Sequence, residues 1–143
     1  MEDKQRYQLT KADRLKSRKA IELLFKQGKS FSLFPFKIIY FYKPKEGVEI
    51  KNDDRYLQTA FSVSKKFFKK ATERNRVKRL IREAYRLQRE TLKNTVVNTN
   101  GQLNVFILYI GNEIPEYNLV FGKVGAVLKR LQKIVNENII ANT

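Results

Sequence analysis

The sequence contains no cysteine, no histidine and no tryptophan, and only 14 of its 143 residues are acidic. Without cysteine and histidine there is no disulfide framework, no thiol nucleophile, no imidazole base and little capacity for transition metals. No apolar run approaches the roughly 20 residues that a membrane span needs, and the first residues lack the apolar centre of a signal peptide. These absences exclude most enzyme chemistry, and we expect a cytoplasmic protein that does not bind membranes.

Positive charge is what the chain has in excess. It carries 30 Lys+Arg, for a formal net charge of +16, and a charge this large favours a polyanionic partner. The hydrophobic share of 42% and the aromatic share of 12% are enough to build a core. We therefore expect one folded domain over residues 1–143, with residues 1–10 as a flexible tail.

Hydrophobic patterns predict alternating helices and strands. Apolar spacing predicts helices over about 11–27, 72–93 and 120–135, and β-type patterns predict strands over 31–42, 56–64 and 103–110. We interpret the first two strands as a hairpin, and residues 94–100 as a polar connection. The order is helix, strand, strand, helix, strand, helix, which favours an α+β fold with helices on a small mixed sheet.

The second helix concentrates the charge. On a helical wheel its apolar residues Val77, Leu80, Ile81, Ala84 and Leu87 form one side. The cations on the other side are Arg74, Lys78, Arg79, Arg82, Arg86 and Arg89. Glu83 and Glu90 follow Arg79 and Arg86 by four residues, where we expect ion pairs. Residues 65–93 hold twelve Lys or Arg against three Glu, and such repulsion favours a polyanion-binding surface over an ordinary solvated face.

The same region resembles the signature of the bacterial ribonuclease P protein subunit. Lys65-Lys66 is followed, after seven residues, by the run RNRVKRLIREAYR over 74–86. Phe61–Lys66 and Arg14–Gly28 are similar to the strand before that signature and to the family's N-terminal helix. The resemblance implies a ribosomal protein S5 domain 2-like α+β fold, of order α-β-β-α-β-α. It also implies a left-handed βαβ crossover around the basic helix, against the usual right-handed rule.

The resemblance further implies a function: an accessory subunit that helps a catalytic RNA to remove the 5′ leader from precursor tRNA. Its implied partners are the ribonuclease P RNA and precursor tRNA, and we expect a monomer, with the number of copies per RNA left open. We expect no catalytic residue, metal or other cofactor on the protein, with Mg²⁺ required by the RNA. The residues implied to bind the catalytic RNA are Lys65, Lys66, Arg74, Asn75, Arg76, Lys78, Arg79, Arg82 and Arg86.

An aromatic strand is the second candidate surface. Single-stranded RNA is commonly bound by bases stacked on exposed aromatic rings, with cations along the backbone. The residues that we predict to bind the leader are Arg14, Lys16, Arg18, Phe25, Phe36, Ile38 and Tyr40. The alternation of the strand leaves the opposite face, with Ile39 and Phe41, as an open alternative.

Two other functions compete with this interpretation. A basic structural ribosomal or nucleic-acid-packaging protein would explain the charge, but it has less need of an aromatic strand. A nuclease made of protein alone would need clustered carboxylates to hold Mg²⁺. Asp53-Asp54 is an adjacent acidic pair in a polar segment, and we interpret it as part of a polar turn.

Overall fold

A four-stranded mixed sheet with helices on both faces forms the fold. The computed structural model describes residues 9–44 and 56–141, so residues 1–8 of the predicted tail and Asp53-Asp54 lie outside the described residues. The strands are β1 (Lys29–Leu33), β2 (Phe36–Lys43), β3 (Leu57–Val63) and β4 (Gln102–Tyr109). The helices are α1 (Arg18–Gln27), α2 (Ala71–Gln88), α3 (Glu90–Asn98) and α4 (Tyr117–Ala141). The predicted α+β class is confirmed, with one strand more than expected.

The strand order is β1-β2-β4-β3. The segment 31–42 is two strands rather than one, because the chain turns at Phe34-Pro35 and pairs Leu33 with Phe36. The predicted hairpin between 31–42 and 56–64 is wrong: β2 is antiparallel to β4, and β3 lies parallel to β4 on its other side. The α2–α3 connection therefore joins two parallel neighbours, as a βαβ unit does; the handedness of this crossover stays a prediction.

The predicted helix over 72–93 is divided at Arg89, which separates α2 from α3. The predicted connection 94–100 is mostly helical, because Leu92 and Val96 bury one side of α3. The chain leaves this helix through Asn100, whose φ of 55° is a left-handed conformation that asparagine tolerates.

The main core lies between the sheet and the helices α2, α3 and α4. The helix α2 contributes Val77, Ile81, Ala84 and Tyr85, all buried, whereas Leu87 is 39% exposed. The prediction for Leu87 is wrong because the helix is rotated so that the large Tyr85 ring enters the core. The Tyr85 hydroxyl lies 2.6 Å from Oγ1 of Thr59, so its polar end is satisfied there.

The N-terminal segment runs along the free edge of β3. Leu9 packs against the core, and Arg14 forms a parallel bridge with Thr59. The flexible tail over residues 1–10 stays a prediction. The predicted helix over 11–27 begins only at Arg18, because Ser17 caps it by accepting a hydrogen bond from the Ala20 amide at 3.3 Å. It ends where Gly28 leads directly into β1. A Cβ there would lie 2.3 Å from the Leu24 carbonyl oxygen, so only glycine fits.

Candidate nucleic-acid interface

The helix α2 presents a cationic surface to solvent. Because Val77 and Ile81 face the core, the side chains of Asn75, Arg76, Arg79 and Arg82 are exposed. The connection before the helix adds the exposed Lys65 and Lys66, and Lys78 is half-buried. The structure therefore brings together most of the residues predicted to bind the catalytic RNA.

Two members of that predicted set also have local structural roles. Nη1 of Arg74 donates to the carbonyl oxygens of Phe68 and Lys69, both at 2.8 Å, and so fixes the loop that leads into α2. Nε of Arg86 donates to Glu83 at 3.0 Å. This hydrogen bond lowers the pKa of Glu83 and raises the pKa of Arg86. The predicted pairing of Glu83 with Arg79 is wrong, since the i,i+3 partner Arg86 binds it.

Arg89 does not belong to the cationic surface. It is 3% exposed, and its Nη1 lies 3.2 Å from Oδ1 of Asp13, which is itself 4% exposed. Arg89 keeps the helical hydrogen bond to the Tyr85 carbonyl, so it follows Ile81 and Tyr85 on the buried side, and its side chain turns inward to the N-terminal segment. The placement of Arg89 among the exposed cations is wrong.

The strand β2 buries one aromatic face in the core and turns the alternative face to the outer side of the sheet. Phe36 and Ile38 are 0% exposed in the core, so their prediction as leader-stacking residues is wrong. Tyr40 points to the same side and packs, half-buried, against that core. Ile39 and Phe41, the alternative face, lie on the outer side of the sheet, which is the side that α1 crosses.

An aromatic groove, which we define by Phe25, Ile39, Phe41, Asn104 and Phe106, lies where α1 meets this outer face. The Phe25 ring is 54% exposed and packs edge-on against Phe106, with ring centroids 5.1 Å apart. Asn104 is the register partner of Phe41, and its Oδ1 is buried with no hydrogen-bond partner among the described residues. Phe106 and Asn104 were not predicted as site residues, because the apolar run over 105–109 does not show which face of β4 is buried.

The N-terminal segment places two exposed cations beside the cationic helix. Exposed Arg14 and Lys16 line a cavity of about 240 Å³ together with Arg82 of α2. Predicted leader-binding and catalytic-RNA-binding cations thus share one cavity. Arg18 is exposed on α1 and forms an ion pair with Glu22 at 3.5 Å.

Neither a metal cluster nor a membrane span is found within 9–44 and 56–141. In these ranges no group of three or more acidic side chains lies close enough to hold a metal ion. None of the helices described is long and apolar enough to cross a bilayer.

Comparison of the sequence with known proteins identifies one family. Residues 9–132 match the family model described as Ribonuclease P. The chain is 33% identical over 112 residues to the ribonuclease P protein component of Porphyromonas gingivalis, covering 78% of this chain and 77% of that protein. It is 30% identical over 131 residues to the component from Chlorobium phaeobacteroides, covering 87% and 88%.

Solved structures agree in fold. The Thermotoga maritima RNase P protein superposes with a TM-score of 0.59 at 26% identity, covering 82% of this chain and 96% of that one. The Staphylococcus aureus RNase P protein has a TM-score of 0.60 at 20% identity, covering 83% and 94%. The chain therefore belongs to the ribonuclease P protein family.

Proposed function

We propose that this protein binds the ribonuclease P RNA through α2 and holds the 5′ leader of precursor tRNA in the aromatic groove. The observation that carries the proposal is the presence of two chemically different surfaces, one cationic and one aromatic. Arg14 and Lys16, which we predict to bind the leader, share a cavity with Arg82 of the cationic surface. A protein that contacts two RNAs at once needs two such surfaces.

The cationic surface fits a folded RNA. Exposed arginines such as Arg76, Arg79 and Arg82 offer planar guanidinium groups that bind phosphates with two N–H donors. Because the helix fixes the spacing of these arginines, they suit the phosphate backbone of a folded RNA. Binding here should depend strongly on salt, because every phosphate contact releases condensed counterions.

The aromatic groove fits a single strand. The exposed ring of Phe25 can stack on a base, and half-buried Phe41 and Phe106 provide further ring surface. Paired RNA would not expose its bases in this way, so the groove favours an unpaired leader.

The polypeptide does not perform the hydrolysis in this proposal; the RNA holds the catalytic Mg²⁺. The absence of histidine and cysteine from the chain supports this assignment, since the side chains available for acid–base chemistry are few. The protein, acting as a monomer, screens repulsion between the two RNAs and fixes the leader. It should therefore lower the Mg²⁺ concentration that cleavage requires.

The experiment is cleavage of labelled precursor tRNA across a Mg²⁺ titration by the protein, a cognate ribonuclease P RNA, and both together. We expect cleavage at the mature 5′ end by the mixture at lower Mg²⁺ than by RNA alone, and none by the protein. Site-specific cleavage by RNA-free protein would overturn the non-catalytic role. Binding to the RNA without any change in the Mg²⁺ requirement would favour the basic structural protein instead.

A further inference from the structure

A second cationic cleft lies at the β1 edge of the sheet, far from the exposed arginines of α2. The second half of α4 passes the β1–β2 hairpin there and encloses a cavity of about 540 Å³. Phe31 and Tyr40 line one wall, and Lys129, Arg130 and Lys133 line the other. Because β1 and β3 are opposite edges and α2 packs against β3, this cleft is a separate surface.

The aromatic wall holds a guanidinium in place. The rings of Phe31 and Tyr40 have centroids 5.9 Å apart, and Cζ of Arg130 lies 4.8 Å from the centroid of Phe31. A guanidinium stacked on a ring keeps its N–H donors in its own plane, where they can bind phosphate. Its other face can stack on a nucleobase, as arginine planes do in RNA complexes.

The cations of the cleft are not neutralised by the protein. Lys129, Arg130 and Lys133 are exposed within about one helical turn, and none forms an ion pair in the part of the chain that the structure describes. Glu137 is the one carboxylate that lines the cleft with them. Burial raises the pKa of Tyr40, the charge of Arg130 lowers it, and the charge of Glu137 raises it. The Tyr40 hydroxyl is a hydrogen-bond donor at neutral pH. Three unpaired cations repel one another unless an anion lies between them.

We propose that this cleft binds a single-stranded RNA segment, with phosphates on Lys129 and Lys133 and a base stacked on the Arg130–Phe31 pair. It is a third RNA contact, beyond the two surfaces of the proposed function. The stacked arginine and the adjacent ring favour a nucleobase over an acidic peptide. A lipid surface fits less well, because the apolar side of α4, including Val127, Leu131 and Val135, is buried in the core.

The test is binding of the full chain to a labelled 12-nucleotide oligouridylate across a salt titration. The double variant Arg130→Ala/Lys133→Ala should bind several-fold more weakly, with a salt slope smaller by about 0.7 for each phosphate that the variant no longer binds. The control is Lys123→Ala, which removes an exposed cation from the same helix outside the cleft and should change neither quantity. Parent-like affinity and slope in the double variant would overturn the proposal.

A cross-linking measurement makes the test independent of any folding defect. Because the chain has no cysteine, Lys133→Cys or Lys123→Cys provides a single attachment point for a photo-cross-linker. We expect cross-links to the oligouridylate from position 133 only. Equal yields from both positions would overturn the proposal, as would binding to anionic phospholipid vesicles that the double variant loses while its RNA binding is unchanged. The tRNA cleavage assay is separate from these measurements, so failure of the cleft and failure of the proposed function can be told apart.

Discussion

At the scale of single residues, the pair formed by Asp13 and Arg89 connects distant parts of the chain. It ties the N-terminal segment to the junction between α2 and α3, and both side chains are buried. Removing either side chain leaves the other charge buried without this ion-pair partner, which is destabilising. The pair thereby fixes the segment that leads to α1 and to the groove.

We expect Arg89→Ala to lower the free energy of unfolding by about 3–5 kcal/mol, measured by urea denaturation. The control is Arg18→Ala, which breaks the exposed pair with Glu22 and should change stability by no more than about 0.5 kcal/mol. Asp13→Leu/Arg89→Met should recover much of the loss, since it removes both charges. Equal effects of Arg89→Ala and Arg18→Ala would contradict this account.

Tyr85 gives a prediction about alkaline pH. Burial raises its pKa from 10.0 to about 12 in the folded protein. Between these values the unfolded chain loses the phenol proton and the folded protein keeps it. Stability should therefore fall as pH rises from about 10 to about 12, by up to about 1.4 kcal/mol per pH unit. Urea denaturation across this range should show a shallower fall for Tyr85→Phe, and parallel pH profiles would contradict the assignment.

At the scale of elements, α2 packs on the core with one side and presents cations to solvent with the other. The same rotation that buries Val77, Ile81 and Tyr85 exposes Arg79 and Arg82. Arg86 differs from them because Glu83 occupies two of its nitrogen donors. The position of an arginine on the helical wheel therefore does not show how many of its N–H donors are free.

We expect Arg82→Ala to weaken binding to the ribonuclease P RNA and to reduce the salt slope by about one unit. Arg86→Ala should have a smaller effect on both, because its guanidinium is already engaged by Glu83. Filter binding across a salt series measures both quantities, with Lys123→Ala as the charge-matched control. A larger loss for Arg86→Ala than for Arg82→Ala would show that the ion pair opens on binding.

The groove yields a second prediction at this scale. If Phe25 and Phe41 stack on the leader, replacing either by alanine should weaken binding of precursor tRNA to the holoenzyme by about 1–3 kcal/mol. Binding of mature tRNA, which has no leader, should be unchanged. Phe34→Ala removes an aromatic ring that is 69% exposed at the β1–β2 turn and serves as the control. Equal losses for precursor and mature tRNA would exclude stacking on the leader.

At the scale of the whole molecule, the net charge of +16 opposes folding as well as favouring a polyanionic partner. Like charges are closer together in the compact state than in the unfolded chain, so their repulsion lowers stability until salt or a polyanion screens it. A chain with this charge should be most stable in its complex with RNA.

We therefore expect the Tm of the free protein to rise between about 20 mM and 300 mM NaCl, as the screening length shortens to below about 10 Å. Thermal unfolding followed by circular dichroism measures this. An uncharged solute at matched osmolality serves as the control, since it does not screen charges. A Tm that falls with salt would mean that attractive pairs outweigh the repulsion.

Sequence alone determined the features that depend on local periodicity and on residue type. The basic side of α2 follows from a 3.6-residue repeat, and the strand β4 follows from its apolar run. The family was also accessible from sequence, because the run over 74–86 is long and specific. The cationic part of the site was thus largely predictable.

Only the tertiary structure decided which face of β2 meets the core. Both faces of β2 are apolar, one with Phe36, Ile38 and Tyr40 and the other with Ile39 and Phe41. Alternation could therefore not choose between the faces, and packing against α4 placed Phe36 and Ile38 inside. The inward turn of Arg89 is likewise tertiary, because its partner Asp13 is 76 residues away in the chain. Local sequence patterns extend over a few residues, whereas burial depends on partners that only the folded chain brings together.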